Sequence, residues 1–276
     1  MRKFLPMILK AAVTAGNAAL EVYRQDFSVV EKSDHSPLTL ADTRAHAIIQ
    51  GCLEKTGIPV LSEEGADIAY SERKNWETLW IVDPLDGTKE FVKRNGEFTI
   101  NIALVKNRMP VMGVIYVPVW SRLYYAIHYA KDGGTGAWRV DLDDPAAIES
   151  LPMEGLMASA AAISVDATAS RPYTIVGSRS HLTPEVEKFV DEKKRVVGNV
   201  EFVAAGSSLK FCRIAEGSAD IYPRFGPTME WDTAAGDVIA RAAGARVFRH
   251  DTGENLLYNK ENLKNPWYIV TNGRDE

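Results

Sequence analysis

Apolar residues recur every three to four positions at the start of the chain, at Leu5, Ile8, Leu9, Ala12, Val13, Ala19, Leu20 and Tyr23. That spacing predicts an amphipathic helix over about residues 4–23. Gly16 falls on the same face, where it weakens the helix slightly but admits a close neighbour. Lys10, Asn17 and Glu21 interrupt the apolar run, so the pattern reads as a helix lying on a core and not as a signal peptide or membrane span. A second helix is expected from near Thr39 to Gly57, glycine being favoured just past a helix end. The pattern then changes to apolar runs of strand length at 59–62, 79–83, 98–106, 111–118 and 123–129, with a hairpin turn over 107–110. Long consecutive strands after paired helices predict an α+β half with a mostly antiparallel sheet.

Residues 141–171 are rich in Ala, Ser, Asp and Pro without a clear period, and read as a connection. Beyond them, strands expected near 174–177, 200–203, 220–222, 246–249 and 268–271 alternate with helices. One helix is capped by Thr183 with Pro184 in its first turn, and the others cover 207–216 and 233–243. This alternation predicts an α/β layered architecture. The division expected is an N-terminal α+β half (1–140), a connection (141–170) and a C-terminal α/β half (171–276).

The 276 residues are 46% hydrophobic, enough for a large core in one domain or two smaller ones. A formal net charge of −5 argues against a nucleic-acid polymer as partner. An anionic substrate would therefore be met by metals and a few Lys or Arg. Cys52 and Cys212 sit in apolar, helical contexts without zinc-like spacing, as buried free thiols of a reducing compartment would. A cytoplasmic placement is expected, with peripheral attachment to the inner membrane as a further option. The sequence carries no signal of oligomeric state.

The chemistry concentrates in Trp80-Ile81-Val82-Asp83-Pro84-Leu85-Asp86-Gly87-Thr88, an apolar run that ends in two carboxylates. Pro84 fixes its own φ and holds Asp83 extended, so a stiff turn can aim both carboxylates and the Leu85 carbonyl at one point. Gly87 lets the backbone approach a ligand. Such oxygen donors suit a hard cation such as Mg²⁺ beside a phosphate. An Asp-Pro-X-Asp-Gly turn is also common on surfaces. Two further acidic clusters favour the metal reading: Glu63-Glu64 after an apolar run, and Glu230-Trp231-Asp232 before a helix. Asp232 alone reads equally as a helix cap.

These three motifs, in this order and roughly at this spacing, resemble the inositol monophosphatase superfamily of Mg²⁺-dependent, lithium-sensitive phosphatases. The resemblance covers nearly the whole chain. Residues 83–101, Gly206-Ser-Ser-Leu-Lys-Phe-Cys212 and Tyr222-Pro-Arg-Phe-Gly-Pro-Thr228 resemble its bacterial 3′(2′),5′-bisphosphate nucleotidases of the CysQ type. The chain departs from the family pattern at 141–171, where the crossing is often shorter, and in lacking an Asn-Gly turn after Gly134-Thr135-Gly136-Ala137. The resemblance implies the αβαβα sandwich of the inositol monophosphatase and fructose-1,6-bisphosphatase type, and two or three Mg²⁺ ions per site. It implies that Glu63, Asp83 and the Leu85 carbonyl hold a first metal, and Asp83, Asp86 and Asp232 a second. It further implies a catalytic group of Glu63, Thr88 and Asp42, with Asp42 polarising the Thr88 hydroxyl to orient water. From the residues alone, Asp42 reads as a first-turn helix cap.

Gly87 and Thr88 amides would cradle the phosphate if they open a helix or turn. Ser207, Ser208 and Lys210, at a helix start with exposed amides, read as a second anion site or as an ordinary capped surface helix. Arg224 can fork onto a phosphate or stack on a base. His181 contacts the nucleotide by similarity, while from the residues a structural role is equally open. Two anion sites favour a bisphosphate, and the resemblance implies adenosine 3′,5′-bisphosphate, released as AMP and phosphate in sulfur assimilation, with its phosphosulfate as a further substrate. An inositol monophosphatase or sugar bisphosphatase is the rival within this chemistry. A silent nucleotide or metal sensor, the rival from another class, would be expected to lack one of Asp42, Glu63, Thr88 or Asp232.

Overall fold

The apolar stripe at the start of the chain forms α1 (Leu5–Tyr23), with Leu5, Ile8, Leu9, Ala12 and Val13 buried. The computed structural model describes residues 2–31, 37–65, 67–128, 134–178 and 183–274. A small ribbon, β1 (Val29–Glu31) with β2 (Pro37–Thr39), leads into α2 (Leu40–Leu53). The expected helix to Gly57 is thus α2 plus a 3₁₀ turn, Glu54–Thr56, ended by Gly57 at φ 68°. Next come β3 (Val60–Ser62), the short α3 (Tyr70–Arg73), β4 (Thr78–Asp86) and the short α4 (Thr88–Val92). The strands β5 (Thr99–Lys106), β6 (Met109–Val117), β7 (Arg122–Ile127) and β8 (Gly136–Asp141) follow.

The 141–170 stretch, expected as a connection, carries α5 (Met153–Ser159) and β9 (Ala161–Ile163), which pairs with β8. The strand was not legible because its residues are mostly exposed and show no alternation; pairing at the sheet edge, not burial, sets it. The seven strands β3 to β9 lie in chain order in one sheet, antiparallel except for β3 beside β4. Asn107 and Arg108, both at positive φ (50° and 65°), close the β5–β6 hairpin as a two-residue turn whose twist matches the strands.

The second half runs β10 (Tyr173–Ser178), α6 (Pro184–Val197), β11 (Val200–Ala205), α7 (Leu209–Ala215), β12 (Ile221–Arg224) and α8 (Glu230–Ala242). It ends with β13 (Arg246–Arg249) and β14 (Tyr268–Thr271). These strands make a five-stranded sheet in the order β11-β10-β12-β14-β13. The Thr183 hydroxyl caps α6 by accepting the Val186 N–H, and Pro184 opens the helix, as expected.

Strand alternation distributes the cores. On β4, Trp80 and Val82 face α1 and α2, whereas Leu79 and Ile81 face the opposite layer. That layer is α7 and α8, whose Phe211, Ile214, Val238 and Ile239 pack between the two sheets against Val176, Tyr222 and Val270. α6 covers the far face through Val186 and Val190 on Ile175, Ile221 and Ile269. The result is the five-layer αβαβα sandwich. Gly16 admits the Tyr116 ring, which a Cβ there would meet at 2.5 Å. With the turn before it, α1 is long and apolar enough to cross a membrane by length and composition, yet its apolar face lies buried on the seven-stranded sheet.

Candidate active site

The end of β4 breaks its pairing with β5 between Asp83 and Asp86, where Pro84 has no N–H to give the ladder. The strand therefore bulges and presents Asp83, Leu85 and Asp86 together. Gly87 follows at φ 90° and opens α4. A Cβ at Gly87 would sit 2.0 Å from Ser207 Oγ and 3.2 Å from the Glu97 carbonyl, so only glycine fits. Glu63 stands in the 3₁₀ turn after β3, beside β4, and Asp232 in the first turn of α8. Glu63, Asp83, Leu85, Asp86, Gly87, Thr88 and Asp232 all line one cavity of about 250 Å³, with Ser207, Lys210 and Arg224 in the same wall.

Burial dominates the electrostatics. Asp83 is 1% exposed, and its carboxyl is held well above the usual range by desolvation and then by Glu63, Asp86 and Asp232. The Leu85 N–H, donated to Asp83 Oδ1 at 3.0 Å, pulls weakly the other way. Asp232 is pushed up to about 8 by burial, with Asp86 as the next cause. Asp86 is raised by burial, opposed by the Ser208 hydroxyl and the Lys210 charge.

Among the described residues, no three Asp, Glu, His or Cys side chains are already closed on one point as around a bound metal. The carboxylates are held by other donors: Asp232 Oδ2 accepts the Met229 N–H at 2.9 Å, and Asp86 Oδ2 the Ser208 hydroxyl at 2.7 Å. The chemistry of the set nevertheless fits a divalent cation. Acids that repel one another in a buried pocket, offering only oxygen, are stabilised as anions by a hard metal ion.

Metal removal should therefore show in stability. In the folded, metal-free protein Asp232 keeps its proton up to about 8, against 3.8 as the ordinary value. A raised folded-state value contributes stability that is full below the unfolded value and lost as pH rises through the folded one. The melting temperature in chelator is expected to fall from pH 5 to pH 8.5, and added Mg²⁺ to raise it most at the alkaline end. Calorimetric scans checking this should not show a flat or rising profile in chelator.

Asp42 makes the contacts that both of its readings need. Its Oδ2 accepts from the Thr39 N–H at 2.8 Å and the Thr39 hydroxyl at 2.7 Å, closing a capping box on α2. Its Oδ1 lies 3.3 Å from the Thr88 hydroxyl, which donates to it and also reaches the Leu85 carbonyl at 3.4 Å. Both bonds are long, as catalytic hydrogen bonds often are without substrate. Asp232, open to a reading as the N-cap of a helix from 233, stands instead at the third position of α8, which starts three residues earlier at Glu230, and accepts the N–H of the N-cap residue Met229 while lining the cavity.

The remaining expected residues divide. The Ser207 hydroxyl is turned to the Asp86 and Glu97 carbonyls at 2.9 and 2.6 Å, locking the loop onto the acidic turn. The Lys210 ammonium is buried, pulled down to about 8 by desolvation, and donates to the Ser207 and Ala205 carbonyls at 2.5 and 3.3 Å. It lies 5.6 Å over the Tyr222 ring. Arg224, 9% exposed, donates through Nη2 to the Pro227 carbonyl, and its buried Nε has no partner among the described residues. His181 lies outside the described residues. Sequence reasoning missed Asn101 and Glu97. Asn101 Nδ2 donates to Asp86 Oδ2 at 3.3 Å, and Glu97 accepts the Gly206 N–H at 2.9 Å. The polar Asn101 between buried Ile100 and Ile102 was the one signal available.

Fold and site together define a class: a layered hydrolase fold holding a buried carboxylate cluster whose oxygens suit hard cations. The chain belongs to the inositol monophosphatase family, whose model matches residues 1–272. That family is one of metal-dependent phosphatases. The chain is 42% identical over 273 residues to the 3′(2′),5′-bisphosphate nucleotidase CysQ of Salmonella typhimurium, covering 97% of this chain and 99% of that one. The namesake of Escherichia coli strain K12 is 40% identical over the same length, with the same coverage. A crystal structure of CysQ from Bacteroides thetaiotaomicron superposes with a TM-score of 0.86 at 50% identity, covering 98% of this chain and 97% of that one. The Thermotoga maritima inositol monophosphatase, at 22% identity and a TM-score of 0.74 over 99% and 93% of the two chains, shares the fold.

Proposed function

We propose that this chain is a Mg²⁺-dependent 3′(2′),5′-bisphosphate nucleotidase that releases the 3′-phosphate of adenosine 3′,5′-bisphosphate, leaving AMP. Its setting is sulfur assimilation in the cytoplasm, with the phosphosulfate analogue as a second substrate. The observation that carries the reading is a single cavity lined both by the carboxylates and by Arg224, a buried cation whose Nε has no partner among the described residues. Such a site fits one phosphate beside metals and a second anion beyond them. The near full-length likeness to named nucleotidases supports it.

In this reading Glu63, Asp83 and the Leu85 carbonyl would hold one of two or three Mg²⁺ ions, and Asp83, Asp86 and Asp232 another. Bound there, such ions would lower the pKa of a water, steady the leaving oxygen and neutralise the phosphate. The chain does the rest. Asp42 accepts from the Thr88 hydroxyl, so that the Thr88 oxygen can take a hydrogen bond from the attacking water and orient it. The Gly87 and Thr88 amides, at the start of α4 and in the cavity lining, would meet the phosphate. Arg224 offers its Nε–H, which has no partner among the described residues, to the non-reacting phosphate or to the base. His181 is assigned a nucleotide contact by the resemblance.

The test is a phosphate-release panel with Mg²⁺: adenosine 3′,5′-bisphosphate, its phosphosulfate, inositol 1-phosphate and fructose 1,6-bisphosphate. The bisphosphate nucleotide should have the highest kcat/KM. A preference for inositol 1-phosphate would transfer the chain to the monophosphatase branch, and no turnover of any ester would make it a sensor.

Lithium is expected to inhibit. It accepts the same oxygen ligands as Mg²⁺ but carries half the charge, so between Asp86 and Asp232 it would hold product without completing a cycle. Inhibition should be uncompetitive with substrate. A velocity series in LiCl with KCl as ionic-strength control checks this, and equal effects of the two salts would leave only screening.

A further inference from the structure

We infer that Ser208, backed by Asn101, is a positioning residue that orients the Asp86 carboxylate beside the backbone of Asp232. The inference rests on the reading that Asp86 and Asp232 serve a shared cation.

Ser208 stands at the start of α7, where a serine ordinarily caps, yet its side chain makes no capping bond to that helix. The hydroxyl instead lies 2.7 Å from Asp86 Oδ2 and 3.0 Å from the Asp232 carbonyl, while Asn101 Nδ2 donates to it at 2.8 Å. A hydroxyl has one proton. With Asn101 occupying one lone pair, that proton goes to Asp86 Oδ2, the nearer and more strongly accepting of the two acceptors it meets among the described residues, with the Asp232 carbonyl close behind.

Three donors, Ser208, Asn101 and Thr99, converge on Asp86 Oδ2, at 2.7, 3.3 and 3.5 Å. This leaves Oδ1 as the oxygen available to a cation. Asp86 comes from β4 and Asp232 from α8, so one side chain lies against both elements that carry the proposed ligands.

Asn101 supports the same conclusion. It is 1% exposed on β5, and its Oδ1 has no partner among the described residues. A buried orphaned acceptor is unfavourable, and an apolar residue there would avoid it. The amide earns its place only through the two bonds its nitrogen donates, to Ser208 and Asp86.

The test is Mn²⁺ binding to the metal-free protein, followed by loss of the free-ion paramagnetic resonance signal with no nucleotide present. Removing an outer partner of a metal ligand typically costs about 10–100-fold in metal affinity. Ser208→Ala is expected to weaken Mn²⁺ binding by about tenfold or more, and Asn101→Ala in the same direction. The double variant should fall short of the product, because both act on one carboxylate. Asn101→Ala carries the test alone if Ser208→Ala does not fold. An unchanged isotherm overturns the inference, including where the metal-free melting temperature has fallen, since that pattern marks a merely structural serine. With no nucleotide in the assay, the result is independent of which phosphate ester the enzyme prefers.

Discussion

Replacing Asp83 by asparagine is expected to reduce turnover to well under about a tenth of the parent value at saturating Mg²⁺, with the fold intact. Asp83 sits at the centre of the acidic set: Glu63, Asp86 and Asp232 all act on its charge, and it is buried to 1% exposure. An amide keeps its size and one oxygen but removes the charge that two cations would share. Stability without metal should hold or rise, because the substitution removes a group that burial and three like charges already disfavour as an anion. Steady-state rates over a Mg²⁺ series, with melting curves in chelator, check both halves. Retention of more than about a tenth of the parent turnover would falsify the bridging role.

Thr88→Ala is expected to lower kcat by about 10²–10⁴-fold with little change in metal affinity, as for a lost proton relay. The hydroxyl faces Asp42 Oδ1 and the Leu85 carbonyl, so its removal takes away a water-orienting group and leaves the carboxylate set in place. Asp42→Asn should give a similar loss. Its Oδ2 also caps α2 through Thr39, so that variant should carry a stability cost of about 1 kcal/mol that Thr88→Ala does not. The double variant should lose little more than either single one, because the two side chains act as one unit. Fully multiplicative losses would show that they act separately.

Much of this site is written locally. Asp83, Leu85, Asp86, Gly87 and Thr88 lie in one short run, and the proline between them withholds a ladder N–H, so regular pairing stops there. Asp42 and Thr88 are far apart in the chain, and only the resemblance joined them beforehand; the α2 capping box that aims Asp42 is local, but the approach of α4 to it is not. Ser207 and Lys210 show the opposite case. As sequence they read as an anion-binding helix start, but in the folded chain both turn to backbone carbonyls, because the loop must close over Gly87 and Glu97. What a donor meets is set by packing between elements from different halves.

The sequence by itself determined the elements with strong periodicity and the acidic turn. Leu5 to Tyr23 repeats at helical spacing, β4 to β7 are long apolar runs, and Pro84 and Gly87 constrain their own backbone; each is a short-range effect of side-chain size, polarity and allowed φ. Only the tertiary structure decided the rest. β9 exists because β8 offers an edge, Asn101 and Ser208 matter because β5 and α7 meet behind Asp86, and Asp232 reaches the cavity because α8 is sandwiched between the sheets. In each case a polar group's energy depends on which partner replaces water, and that partner is supplied by a segment distant in the chain.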